Sequence, residues 1–126
     1  MPREAVVVAA HLAKVTVREI SPQQLQELLS SQPDTLLVDV RQPEEHELVK
    51  LAGSTLIPLD QLAERFSELE RIFNSTSADV VVYCRSGGRS GKACEWLAAQ
   101  GIKNAVNLVG GINLYAEEID QTLTPY

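Results

Sequence analysis

Val80-Val81-Val82-Tyr83-Cys84-Arg85-Ser86-Gly87-Gly88-Arg89-Ser90 is the stretch on which the fold turns. Three valines and a tyrosine favour the pleated backbone of a strand, and a run that is apolar on both faces suits the middle of a parallel sheet. The run ends abruptly in a cysteine, a glycine pair and two arginines. A helical pattern over about residues 90–100 follows, and Gly101 ends it. The unit is therefore strand, tight loop, helix.

The flanking segments repeat the alternation. Residues 15–20 predict a short edge strand. Ser21-Pro22 then supplies an N-cap and a proline at the first helical position, with Leu25, Leu28 and Leu29 on one face and a stop near Ser31. Residues 36–40 predict a strand buried on both faces, and residues 55–57 a shorter one. The spacing of Leu59, Leu62, Phe66, Leu69 and Phe73 predicts one long helix or two short ones. Asn74-Ser75-Thr76-Ser77 makes a polar connection. Residues 105–108 give a last strand, Gly110-Gly111 a turn and residues 112–119 a closing helix. Alternating strands and helices imply an α/β domain with a largely parallel sheet.

Length and composition bound the rest. At 126 residues with 44% hydrophobic content there is material for one core but not two, so residues 1–14 read as a lead-in and 15–126 as the domain. The apolar stretch within residues 5–13 contains His11 and falls far short of the roughly 20 residues a membrane span needs, so no membrane association is expected. Eleven Lys and Arg against 17 Asp and Glu give a net charge of −6, which argues against nucleic-acid binding. Cys84 and Cys94 lie in different elements and make no disulfide framework, which points to a reducing, cytoplasmic compartment.

Chemistry concentrates on Cys84. Its place directly after a strand puts the thiol at the carboxyl edge of the sheet, where open α/β sheets bind ligands. Gly87 and Gly88 allow positive φ, so the peptide N–H groups of residues 85 to 89 can turn toward the sulfur as a nest. The following helix adds the positive end of its dipole, and Arg85 and Arg89 add charge. The Cys84 pKa is expected to fall below its unperturbed value, leaving a thiolate at neutral pH. Ser86 and Ser90 are placed to hydrogen-bond the loop or its ligand. Cys94, in mid-helix near Leu97, reads as a packed core residue. Asp39 and Arg41 divide between a site role and a structural ion pair that shapes the loop. His46, among Glu44, Glu45 and Glu47, reads as solvated in an exposed first turn, and nothing recurs with metal-ligand spacing.

Four motifs in order resemble the rhodanese family: Asp39-Val40-Arg41 with Pro43-Glu44-Glu45; Gly53 with Ile57-Pro58-Leu59; Cys84-x4-Arg89-Ser90; and Gly110-Gly111-Ile112. The match runs from about Val17 to Tyr126. The resemblance implies a rhodanese-like fold, a five-stranded parallel sheet flanked by helices on both faces. It also implies a catalytic Cys84 that accepts sulfane sulfur as a persulfide, with no cofactor or metal. Arg85, Ser86, Gly87, Gly88, Arg89, Ser90 and Arg41 would then bind substrate, and Asp39 would support them. A small sulfur donor such as thiosulfate or a persulfide is the implied partner.

Residues 47–59 and the tail 118–126 look most like the rhodanese domains fused to adenylyltransferases of molybdopterin and thiamine synthesis. That resemblance implies an adenylated ubiquitin-fold sulfur carrier protein as acceptor and a cysteine desulfurase as a possible donor. The chain departs from the family pattern in having Val49-Lys50-Leu51-Ala52-Gly53 where Gly-His-Ile-Pro-Gly is common. His46 and Tyr115 stand where an aromatic residue and tryptophan are common, which predicts a rim of different shape or polarity.

Other classes remain in view. A cysteine-dependent phosphatase or arsenate reductase would also use an anion-binding loop at a helix N-terminus, but the phosphatase pattern is Cys-x5-Arg, one residue longer than Cys84 to Arg89. A non-catalytic docking or redox-sensing module would keep the fold, although such modules often lack the cysteine.

Overall fold

The computed structural model describes residues 17–126. The lead-in over residues 1–14, His11 and the first residues of the expected edge strand lie outside them. Eleven elements alternate: β1 (Arg18–Ile20), α1 (Pro22–Ser31), β2 (Leu37–Asp39), α2 (Pro43–Leu48), β3 (Thr55–Leu56), a 3₁₀ turn (Leu59–Gln61), α3 (Phe66–Asn74), β4 (Val80–Tyr83), α4 (Gly88–Ala99), β5 (Ala105–Leu108) and α5 (Gly111–Glu118). All four strand pairings are parallel, in the order β1-β5-β4-β2-β3. The expected five-stranded parallel α/β sheet is thus present, with β1 on an edge.

Local chemistry accounts for the boundaries. Ser21 and Gln24 close a reciprocal capping box at α1: the Gln24 N–H donates to Ser21 Oγ at 3.1 Å and the Ser21 N–H to Gln24 Oε1 at 2.9 Å. Pro22 and Pro43 each open a helix where no intrahelical donor is needed. The helical period over residues 59–73 resolves into the 3₁₀ turn and α3, so of the two readings the broken one holds.

The sheet is covered on both sides, and the period of two in its strands sorts the side chains. Val80, Val82 and Cys84 point with Val38 and Val40 toward Leu69 and Phe73 of α3 and Ala93, Cys94 and Leu97 of α4. Val81, Tyr83 and Leu37 point the other way, toward Leu25 of α1 and Ile112 and Tyr115 of α5. An edge-to-face contact of Phe66 and Trp96, 5.4 Å between centroids, joins α3 to α4. Each fully buried aliphatic side chain contributes roughly 1.5–3 kcal/mol. Central β4 and β5 are buried throughout, so the loops after them are anchored in the best-packed part of the molecule. No helix among the described residues is long and apolar enough to cross a membrane.

Candidate active site

Cys84 lies at the carboxyl end of β4, 1% exposed, and the chain then wraps around its sulfur. The Gly87 N–H donates to Sγ at 3.1 Å and the Ser90 hydroxyl lies 3.3 Å from it. Burial pushes the thiol up. Hydrogen bonds from the Ser90 side chain and from the peptide N–H groups of Ser90, Gly87 and Ser86 outweigh that, and the Cys84 pKa falls below the ordinary thiol range. The expected direction is met. The donors differ in part from the expected 85–89 set, since Ser90 contributes both its N–H and its hydroxyl.

Glycine has one conformational duty in this loop. Gly87 is left-handed at φ +106°, the N-cap position of α4, whereas Gly88 is already helical and does not share the positive φ expected of it. The helix begins at Gly88 instead of about residue 90, because Gly87 alone completes the reversal. A Cβ on Gly87 would also press to 3.3 Å from the Gly110 nitrogen.

The N–H groups can face the sulfur because the loop carbonyls are engaged elsewhere. The Ile112 N–H donates to the Cys84 carbonyl at 2.9 Å and the Asn113 N–H to the Arg85 carbonyl at 3.1 Å. The first turn of α5 therefore orients the first two peptides of the loop, using donors that a helix N-terminus leaves unpaired. This approach requires Gly111, at φ +65°, because a side chain there would collide with the carbonyls of Arg85 and Cys84. Gly110-Gly111, expected as a turn, is also part of the cradle wall.

Asn107 was not foreseen. It is 4% exposed on β5, its Oδ1 lies 2.5 Å from Ser90 Oγ, and its Nδ2 donates toward the Gly87 carbonyl at 3.4 Å. One buried amide thus contacts two members of the loop, and the single Ser90 hydroxyl proton is shared between the amide oxygen and Sγ. A polar residue inside the apolar run 105–108 was the available signal.

The arginines divide sharply. Arg89 forms two bonds with Glu45, 2.7 and 2.9 Å, which raise its pKa and hold the Glu45 carboxyl down at about 2. Arg41 is fully buried and paired with Asp39, with Nε 2.9 Å from Oδ1 and Nη2 2.7 Å from Oδ2. It also donates to the Val49 carbonyl and, from Nη1, to the Tyr126 hydroxyl at 2.8 Å. Of the two readings weighed for Asp39 and Arg41, the buried ion pair is the one these contacts describe. Arg85 is exposed and rests over the Tyr126 ring, its guanidinium carbon 5.1 Å from the centroid.

His46 corrects an expectation. It is not solvated: its side chain is 17% exposed and its Nδ1 lies 2.8 Å from Asp39 Oδ2. The acidic run is accordingly two-sided, because Glu44 and Glu47 face solvent while Glu45 and His46 turn inward on the short helix α2. Cys94 packs in the α4 core as expected, and burial pushes its thiol up to about 12.

Residues 21–118 match the family described as Rhodanese-like domain. The chain is 38% identical over 100 residues to a sulfurtransferase of Allochromatium vinosum, covering 79% of this chain and 89% of that one. It is 33% identical over 118 residues to the probable adenylyltransferase/sulfurtransferase MoeZ of Mycobacterium tuberculosis, covering 94% of this chain but only 29% of that longer protein. The crystal structure of a rhodanese-related protein from Thermoplasma volcanium superposes with a TM-score of 0.69 at 33% identity, covering 81% of this chain and 93% of its own. The extent of the match, the shared sheet and the similarity to relatives above 30% identity place this chain in the rhodanese-like domain family.

Proposed function

We propose that this protein is a sulfurtransferase that carries sulfane sulfur as a persulfide on Cys84. The observation that carries the reading is the set of donors around Sγ, from Gly87 at 3.1 Å and Ser90 at 3.3 Å, which favours a sulfur anion in a buried setting. The sulfurtransferase names of the Allochromatium and Mycobacterium relatives support the same class.

In the first half-reaction the Cys84 thiolate attacks the outer sulfur of a donor such as thiosulfate. The new S–S bond forms as the donor's S–S bond breaks, and sulfite leaves with the electron pair. The loop N–H groups and the Ser90 hydroxyl hold the sulfur anion that results. In the second, a thiophilic acceptor attacks the terminal sulfur and returns Cys84 as thiolate. Cyanide serves as acceptor in the test tube and is released as thiocyanate. The similarity to MoeZ favours a carrier-protein acceptor in the cell: the terminal persulfide sulfur would attack the adenylated C-terminal carbonyl of a ubiquitin-fold protein, with AMP leaving, and two equivalents of an external thiol, oxidised to their disulfide, would then cleave the acyl disulfide to release the thiocarboxylate and the Cys84 thiolate. A cysteine desulfurase would then be a fitting donor, in a reducing cytoplasm.

The protein and its Cys84→Ser variant are incubated with thiosulfate or a persulfide donor, analysed by intact mass, then treated with cyanide. A gain of one sulfur atom followed by thiocyanate, both absent from the variant, is the expected result. If neither product forms with either donor, the reading fails.

A further inference from the structure

The family match ends at residue 118, yet the chain continues to a tyrosine that touches two of the site's arginines and the carboxylate that pairs with the third. The Tyr126 hydroxyl donates to Glu45 Oε2 at 2.6 Å and accepts from Arg41 Nη1 at 2.8 Å. Its ring lies within cation–π range of Arg41 at 5.6 Å and Arg85 at 5.1 Å. Its backbone is tied down twice by Asn113, whose Nδ2 donates to the Tyr126 carbonyl at 2.9 Å and whose Oδ1 accepts from the Tyr126 N–H at 3.2 Å. Asn113 is the same residue whose N–H holds the Arg85 carbonyl. Leu123 and Tyr126 pack against the core beneath.

A charge inventory gives this arrangement a consequence. Arg41 is matched by Asp39 and Arg89 by Glu45, each within 2.7 Å, so two of the three guanidiniums are neutralised within the site. Among the described residues Arg85 makes no carboxylate pair; its partner is the Tyr126 ring, which holds the cation without cancelling it. We propose that Tyr126 is a specificity-determining positioning residue that fixes Arg85 at the mouth of the Cys84 loop as the one guanidinium of the three that no carboxylate neutralises, selecting ligands that present an anionic group beside the reacting atom. The inference deepens the sulfurtransferase reading and rests on it for the identity of the ligand. A sulfonate on a small donor and the phosphoryl group of an adenylated protein tail share the required chemistry.

Alkylation tests this without any sulfur donor. Iodoacetate and iodoacetamide react with Cys84 in the same way: thiolate sulfur forms the C–S bond and iodide leaves. They differ by one negative charge, so the ratio of their rates reads the cation at the mouth and cancels the thiolate fraction. Rates are followed by intact mass in the wild type and in Tyr126→Leu, Tyr126→Phe, Asn113→Ala, Arg85→Gln and the Tyr126→Leu/Arg85→Gln double variant. The iodoacetate to iodoacetamide ratio is expected to fall about fivefold in Tyr126→Leu and in Arg85→Gln, with no further fall in the double variant. Tyr126→Phe, which keeps the ring, stays close to the wild type. Asn113→Ala, which frees the tyrosine backbone, falls part of the way and serves if the leucine variant does not fold. An unchanged ratio, a ratio that rises because Arg89 has been freed, a fall in Tyr126→Leu without one in Arg85→Gln, or a Cys84 inert to both reagents in every protein overturns the proposal. If thiosulfate and a persulfide donor both fail while the ratio behaves as described, the sulfurtransferase reading falls and the anion selection stands.

Discussion

Cys84 and Cys94 belong to one hydrophobic cluster and are almost equally hidden, 1% and 3% exposed, yet their acidities move in opposite directions. Burial acts on both as the largest influence and pushes both thiols up. At Cys94, inside α4, the helix uses its own N–H groups and offers the sulfur nothing. The thiol rises to about 12, helped by the neighbouring charges of Cys84 and Glu19. At Cys84 the chain has just left β4 and not yet entered α4, so its N–H groups are free to aim at the sulfur. The difference between a reactive and an inert cysteine here is the direction of three peptide donors and one hydroxyl, not depth.

The largest test of that contrast is deletion. Cys84→Ser should reduce thiocyanate formation from thiosulfate and cyanide by at least about a thousandfold, as expected for loss of a nucleophile. Cys94→Ala should leave the rate within about twofold, since its sulfur is protonated and packed. Loss of activity in both variants would mean that the two sulfurs work as a pair and would break the distinction.

A second test leaves both cysteines in place and removes the device that separates them. Gly111→Ala pushes a methyl group into the Arg85 and Cys84 carbonyls, at a left-handed position where any side chain is strained. Denaturant unfolding should show a loss of about 2–4 kcal/mol. In whatever native protein survives, the Cys84 titration should move upward toward that of Cys94. A Gly111→Ala protein with wild-type stability would mean that α5 does not clamp the loop.

Ser90→Ala is a smaller perturbation. It removes one of the donors that lower Cys84 while the peptide N–H bonds remain. The Cys84 pKa should rise, and the thiolate fraction at pH values below it should fall by about fivefold, as for the loss of one ordinary hydrogen bond. Thiolate absorbance or the pH profile of alkylation reads this directly, and no shift would assign the acidity to the backbone alone.

The sequence made the strand-loop-helix unit legible because β-branched residues, a glycine pair and a periodic helix are local signals. Cys84, Ser90 and the contrast with Cys94 followed from them. The parts it did not reveal are tertiary. Gly111 is 27 positions from Cys84, and its need to be glycine comes from a carbonyl of another loop. Glu45 reads as one more surface acid until α2 turns it toward Arg89, 44 residues on. His46 reads as solvated because its partner Asp39 lies on a strand and not on its own helix, so no local periodicity pairs them. Tyr126 lies in a tail with no periodicity, and only the packed structure sets it against Arg41 and Arg85.

The most gradual expected effect is also the most symmetrical, because the two thiols should give stability opposite dependences on pH. Cys84 has a lowered native pKa. Between that value and the ordinary value of about 9, the native protein holds a thiolate while the unfolded chain holds a thiol. The unfolded state then binds more protons, so this contribution is fully present above pH 9 and is lost as pH falls through the native pKa. Cys94 is the reverse. Between about 9 and about 12 the native protein keeps its thiol while the unfolded chain loses the proton, so stability present below pH 9 is lost as pH rises. Each slope is bounded at about 1.4 kcal/mol per pH unit. Urea unfolding of the wild type, Cys84→Ala and Cys94→Ala from neutral to alkaline pH reads them as difference curves, in which groups remote from both sulfurs cancel. The Cys84 difference should grow toward pH 9 and then level off, and the Cys94 difference should begin only above it. Difference curves of the same sign would mean that burial governs both sulfurs and that the loop donors do not outweigh it at Cys84.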